Sequence, residues 1–307
     1  MRCSAILAIP DTVMPHVEAI AGHDFTQVDT LVFAGGGNRC WWQAGALKHL
    51  MAQGMRLPGR LVGTSAGAGV ATACLTEDPD VALHACLRLY AGNARIFDWS
   101  GLSRLKLRFA HQTVYPAWLD AFFNASNFVA LRESTSRMTV AITRPARFLG
   151  TRGSVVAGTF AYLVDKYLSN NIHPRLPRML GLRQEFLDLQ DCTTIEDAQA
   201  LLIGAAAAPP IMTSRLIGGA HAIDGGYTDN APIPPQSADE AAKTMVLLTR
   251  HYPKLPSLFR WAGRTYWQPS QRIPVSTWDC TPKTTVKEAY ALGLQDSVRA
   301  LATGLLR

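Results

Sequence analysis

The sequence predicts a layered α/β fold: short apolar strands alternate with helical segments throughout its 307 residues, glycine clusters join several of them, and no internal repeat or low-complexity tail appears. Hydrophobic residues make up 48% of the chain and charged residues 17%, which suffices to bury a large core. One globular domain is expected over 30–307, preceded by an extension at 1–29.

Thr30 to Ala34 (TLVFA) is a β-branched, apolar run that ends in Gly35-Gly36-Gly37, and Cys40 to Gln53 then repeats apolar residues at helical spacing up to Gly54. Gly59 to Gly63 (GRLVG) forms a second strand, and the small residues from Ala66 to Leu75 form a second buried helix. A strand-helix-strand-helix unit of this kind makes its two strands parallel and its connection right-handed. Further strands are predicted at Arg137 to Thr143, Glu185 to Leu189, His221 to Ile223 and Thr244 to Thr249. Helices are predicted at Thr194 to Ala207 and Thr285 to Leu305. Asn93 to Asn127 and Tyr252 to Pro274 mix aromatics, prolines and cations without clear period and read as irregular.

Gly63-Thr64-Ser65-Ala66-Gly67 has the G-x-S-x-G pattern, in which Gly63 and Gly67 clear space around a serine on a sharp strand-to-helix elbow. Alone, the pentapeptide is also compatible with a tight turn that packs a helix on a strand. The loop Gly35-Gly36-Gly37-Asn38 is no dinucleotide fingerprint, since Cys40 stands where a glycine is needed and Thr30 to Thr76 contains no Asp or Glu. No G-K-[ST] follows it either. What it offers is backbone N–H groups at a helix N-terminus, suited to an oxyanion or a phosphate. Both motifs lie just past the carboxyl ends of neighbouring strands, so they can converge on one carbonyl.

The net charge of +7 favours anionic partners. No zinc-finger spacing or RNA-binding aromatic signature accompanies it, which argues against nucleic acid and for a peripheral membrane surface. The six cysteines, Cys3, Cys40, Cys74, Cys86, Cys192 and Cys280, are widely spaced without a C-x-x-C pair and read as reduced, packed thiols. No metal or other cofactor motif is present. Met1 to Pro10 lacks a normal signal-peptide core, and neither long uncharged run, Leu61 to Thr76 or Ala198 to Ser214, suits a bilayer span. A cytoplasmic protein touching membranes from outside is expected; signal-independent export is also compatible.

Gly-Gly-Gly-x-Arg after the first strand, Gly-Thr-Ser-Ala-Gly after the second, Ala208-Pro209-Pro210, and Asp224-Gly225-Gly226 followed by Asn230-Ala231-Pro232 closely resemble the patatin-like phospholipase family. The resemblance covers roughly 30–250, is weakest over 93–127, and extends to a closing helix after Trp278-Asp279. It implies a three-layer α/β/α sandwich with a mainly parallel central sheet, and hydrolysis of phospholipid or other acyl-ester lipids. By matching position, Ser65 is the nucleophile, Asp224 the proton acceptor, and the backbone of Gly35, Gly36, Gly37 and Asn38 the oxyanion hole. Arg39 falls on the family's Arg/Lys position, expected to steady the loop or attract a phosphate. Cys40 departs from the family's usual glycine.

An Asp of ordinary pKa is a poor base for a hydroxyl, so a dyad requires burial to raise it. The rival reading is an α/β-hydrolase triad completed by His251 after Asp224; only one clear strand precedes the one leading to Ser65, which opposes it. A non-catalytic lipid-binding relative is the other alternative, and acyl transfer to another alcohol would use the same residues. Two stretches that interleave cations with large apolar groups, Arg95 to Phe109 and Phe259 to Trp267, are candidates for a lid or membrane-facing insertion, the first within 93–127. A solvated face over ordinary core is the plainer reading of both.

Overall fold

The computed structural model describes residues 17–98, 108–164 and 171–307. Its N-terminal part opens with β1 (Glu18–Ala19), β2 (Thr30–Phe33), α1 (Trp41–Ala52), β3 (Arg60–Gly63) and α2 (Ser65–Thr76). The predicted strand-helix-strand-helix unit is therefore present, and β2 and β3 pair in parallel with Leu31 opposite Leu61. Next come α3 (Pro79–Ala91), the short ribbon β4 (Phe97–Asp98) and β5 (Arg108–Phe109), α4 (His111–Phe122) and α5 (Ala125–Glu133). Much of Asn93 to Asn127 is thus helical, contrary to the irregular reading; Pro116 inside α4 masks the helical period. The central part of that candidate insertion, 99–107, lies outside the described residues.

The chain continues through β6 (Arg137–Arg144), α6 (Gly150–Val164), α7 (Leu176–Met179), β7 (Arg183–Asp188), α8 (Ile195–Ala205), β8 (Arg215–Ile217) and β9 (Ala220–Asp224). It closes with α9 (Ala238–Ala242), β10 (Thr244–Leu247), β11 (Leu258–Trp261), β12 (Arg264–Trp267) and α10 (Val286–Ala302). One sheet runs β1-β11-β12-β10-β2-β3-β6, and its centre from β12 to β6 is parallel. The fold is a mixed, mostly parallel sheet flanked by helices.

Successive residues of the central strands divide the core in two, as the strand period of two demands. Leu31, Phe33, Leu61, Met245 and Leu247 join the larger cluster, beneath α1, α2, α8 and α10. Val32, Val62 and Val246 point to the other face, where Ile172, Ala231 and Phe259 cover them. On the larger side α10 crosses α1 at Gly45 and Gly293, whose missing side chains let the two backbones touch.

The segment Tyr252 to Pro274 was expected to be irregular, but it contains the β11–β12 hairpin. Phe259, Tyr266 and Trp267 are buried there, so these aromatics belong to the inside of the sheet, while Arg260 is exposed. Burial on both faces removes the polar alternation that would have announced the strands. The described part of the N-terminal extension likewise belongs to the body: β1 pairs with β11, and Phe25 enters the core.

Strand β6 decides how the site is assembled. Its residues 139–144 pair with β7, while 137–140 pair with β3 and 142–143 with β9. Since a strand has two edges, β3 and β9 must share the edge that β7 leaves. They approach along it from opposite directions: β3 ends with Gly63 opposite Val140, and β9 ends with Asp224 opposite Ile142. The carboxyl ends of two strands far apart in sequence therefore meet head-on.

Candidate active site

Ser65 stands at that junction, the first residue of α2, and its backbone lies in the left-handed region at φ 53°. For a residue with a Cβ this conformation costs about 1–3 kcal/mol, which the surrounding packing must offset. Thr64 holds the turn down by donating its hydroxyl to Ala141 O at 2.9 Å. Gly67 is needed because α2 descends onto the end of β2, where a Cβ would lie 2.6 Å from Ala34 O. Gly63 faces Ala68 Cα at 2.7 Å in the same sense. The G-x-S-x-G spacing is thus a record of one close helix-strand contact.

Asp224 is buried opposite Ser65, and its carboxylate accepts the Gly226 N–H at 2.7 Å. Burial pushes its carboxyl up to about 6, against the opposing pull of the Ser65 hydroxyl and the Gly226 N–H. The desolvation demanded of a dyad base is therefore present.

The glycine loop is oriented from behind. Gly35 O accepts hydrogen bonds from Asn230 Nδ2, at 2.7 Å, and from the Thr249 hydroxyl; Gly36 O accepts from Arg39 Nε at 3.2 Å. In a trans peptide the N–H points opposite to the C=O, so anchoring these two carbonyls aims the Gly36 and Gly37 N–H groups the other way. Gly37 takes φ 55°, and a Cβ there would collide with the Thr277 carbonyl. The other two predicted donors are committed elsewhere. Gly35 N–H donates to Asn230 O at 2.7 Å, and Asn38 N–H to Thr277 O at 3.1 Å. Of the four positions, Gly36 and Gly37 are the ones whose N–H groups point away from the anchors. Asn38 serves instead as a brace, its amide donating to Ser276 O and Asp279 O while Tyr90 donates to its Oδ1.

Arg39 is half-buried, and burial lowers its pKa without making it neutral at physiological pH. Among the described residues no carboxylate lies within ion-pair distance of it. Cys40, the departure from the family pattern, is buried with its thiol directed at Ala34 O, so the loop accommodates it. The five described cysteines are free thiols.

Two recesses meet at Ser65. A cavity of about 950 Å³ contains Ser65, Asp224, Gly36, Gly37 and Arg39, with Thr159 and Tyr162 of α6 on its wall. A second recess of about 50 Å³ is lined by aromatic and apolar side chains, among them Trp41, Val70, Tyr115, Trp118 and Met212. The 272–277 segment of the cavity wall, and Thr249, which donates to Gly35 O, were not singled out as site residues by sequence. They belong to the site only through sheet order, and the one available signal was the position of Thr249 just past β10.

His251 and His173 are engaged with other partners. His251 Nδ1 lies 2.8 Å from Pro269 O, and His173 bridges Asp229 and Tyr266 at 2.8 and 2.9 Å. His111 is buried against Trp278, and desolvation drops its pKa to about 4. Residues 31–235 match the family model for patatin-like phospholipases, which is most of the chain. The chain belongs to the patatin-like phospholipase family. No curated protein matches it. Family membership supports lipid acyl hydrolysis in general terms, and the α/β architecture described above is the patatin-like one. Among the described residues no helix is long and apolar enough to cross a membrane.

Proposed function

We propose that this patatin-like protein is a lipid acyl hydrolase of phospholipase A, lysophospholipase or esterase type, working through a Ser65–Asp224 dyad and an acyl-enzyme. The observation that supports it best is the head-on meeting of β3 and β9, which sets a left-handed serine against a buried carboxyl with its pKa raised to about 6.

In the first half-reaction Asp224 takes the Ser65 proton while Oγ bonds to the ester carbonyl carbon. The carbonyl π electrons move to oxygen, which accepts from the Gly36 and Gly37 N–H groups, each such donor worth roughly 3 kcal/mol in the transition state. Collapse breaks the ester C–O bond, and the leaving alcohol takes the proton back from Asp224. Water then gives a proton to Asp224 and attacks the acyl carbon, and collapse releases the fatty acid with the proton returned to Ser65. The +0.5 charge at the N-terminus of α2 favours the developing alkoxide. The aromatic recess suits the start of the acyl chain, and the unpaired charge of Arg39 suits a phosphate at the cavity edge. On this reading residues 30–307 make up the catalytic domain, with the described part of the preceding extension packed into it through β1 and Phe25.

The test is a lipid panel read by mass spectrometry for wild type and Ser65→Ala. Release of a fatty acid and its deacylated lipid by wild type, reduced at least ~10⁴-fold in the variant, is expected. Equal release by both proteins rejects the nucleophile.

A further inference from the structure

The charge of this protein is unevenly placed. Residues 144–183 contain six arginines and one lysine against a single acid, Asp165, in a chain with 23 acidic residues. Arg144 turns inward to Glu185, whereas Arg147, Arg152, Arg175, Arg178 and Arg183 are exposed. Of these five, among the described residues, only Arg178 has a carboxylate within 4 Å, that of Asp229 at 3.9 Å.

The same stretch exposes apolar bulk. Six of the ten large hydrophobic side chains exposed among the described residues lie from Phe148 to Met179, and those two are 77% and 80% exposed. Helix α6 explains the concentration. Its inward face is small, with Ser154, Gly158 and Ala161 buried, and Gly158 leaves room for the Tyr227 ring. Val156, Phe160 and Leu163 lie about 180° away at 100° per residue, and all three are exposed. A surface helix ordinarily turns its polar side outward, so α6 has the reverse arrangement. Phe148 packs beside Gly181, and α7 touches α6, so Phe148, Met179 and the outer side of α6 belong to one region of the surface, the region whose chain segments carry the five exposed arginines. Between the two faces of α6, Thr159 and Tyr162 line the 950 Å³ cavity that contains Ser65.

We propose that the face formed by α6, the 146–150 turn and α7 docks on an anionic phospholipid surface and delivers a lipid over the edge of α6 into the cavity. Charge complementarity selects the occupant: exposed arginines that outnumber the acids near them, Asp229 beside Arg178 and Glu185 near Arg183, fit phosphate headgroups, and the exposed apolar residues fit the acyl boundary below. The delivery step rests on the lipid hydrolase reading; the docking does not.

The experiment sediments the full chain with vesicles of phosphatidylcholine, alone or mixed with phosphatidylglycerol, at low and high salt. Wild type and Ser65→Ala are expected to bind the anionic vesicles alike, with binding weakened by salt. The triple variant Val156→Ser, Phe160→Ser, Leu163→Ser is expected to partition at least ~10-fold less, and to hydrolyse a soluble short-chain ester at the wild-type rate, which verifies its fold. Unchanged vesicle binding by the triple variant, or equal binding to both vesicle types, overturns the proposal. So does a wild-type dimer in sedimentation velocity that the triple variant dissociates while still binding vesicles; the face is then an interface between copies. Docking as described without cleavage of any ester instead removes the hydrolase reading and leaves the surface standing.

Discussion

The floor of the cavity and its α6 wall border the same space, yet they are built by opposite rules. On the floor the positions come from backbone: strand register brings Ser65 to Asp224, and anchored carbonyls aim the Gly36 and Gly37 N–H groups. On the wall they come from composition, a set of apolar and basic side chains pointing outward from a helix whose buried side is nearly featureless. A floor of this kind tolerates almost no single change. The wall tolerates many, provided the sum of its apolar and basic character persists.

Substitutions separate the two. Asp224→Asn should have the largest effect after loss of the nucleophile, lowering hydrolysis of soluble and vesicular esters alike by about 10³-fold or more. It should also stabilise the fold. The folded-state pKa of about 6 exceeds the ordinary 3.8, so the wild-type group favours folding below pH 3.8 and loses that contribution as pH rises through 6. Removing the charge should therefore raise unfolding free energy by up to about 3 kcal/mol at pH 8, and by little near pH 4. Denaturant melts at the two pH values check this, and a variant less stable than wild type at pH 8 contradicts the buried-base picture. Wild-type kcat/KM should fall by half near pH 6 as the pH is lowered.

Gly37→Ala places a Cβ against the Thr277 carbonyl on a left-handed backbone. It is expected to reduce turnover on a soluble ester about 10²-fold with a smaller change in KM. A near-normal kcat would mean that the loop is not the oxyanion donor. His251→Ala should have the smallest effect, within about threefold in kcat/KM, since its ring is engaged with Pro269 O and takes no part in a dyad. Inactivity of that variant would restore the triad reading.

The sequence made the floor readable in pieces. Thr30 to Phe33, Arg60 to Gly63 and Thr244 to Leu247 are short runs buried on both faces, which stand out without any partner being known. The glycines at 35 to 37, 63 and 67 mark close approaches, and Asp224 emerges through its Gly-Gly and Asn230-Ala231-Pro232 neighbours. What stayed hidden depended on contacts across the sheet. The N–H groups of Gly35 and Asn38 are engaged by the carbonyls of Asn230 and Thr277, nearly two hundred residues or more away in the chain. Thr249 has no motif, and the β11–β12 aromatics resemble a surface patch until their place next to β10 is known. The α6 face was missed because no helix is expected from sequence over Gly150–Val164, where glycines at 150, 153 and 158 weaken the helical signal, and a period alone does not say which side is covered.

The head-on arrangement of β3 and β9 also determines which changes of length the protein can absorb. Because both strands are hydrogen-bonded to β6, the gap between Ser65 and Asp224 is measured by the single residue, Ala141, that separates Val140 from Ile142. Insertions in the connections between Ser65 and Asp224 leave that measure untouched. One residue added inside β9 would turn Asp224 to the opposite face of the sheet. Lineages of this chain should therefore vary freely in loop length while β6, the end of β3 and the end of β9 keep their residue count, so that β6 acts as a ruler between two residues it does not itself contain.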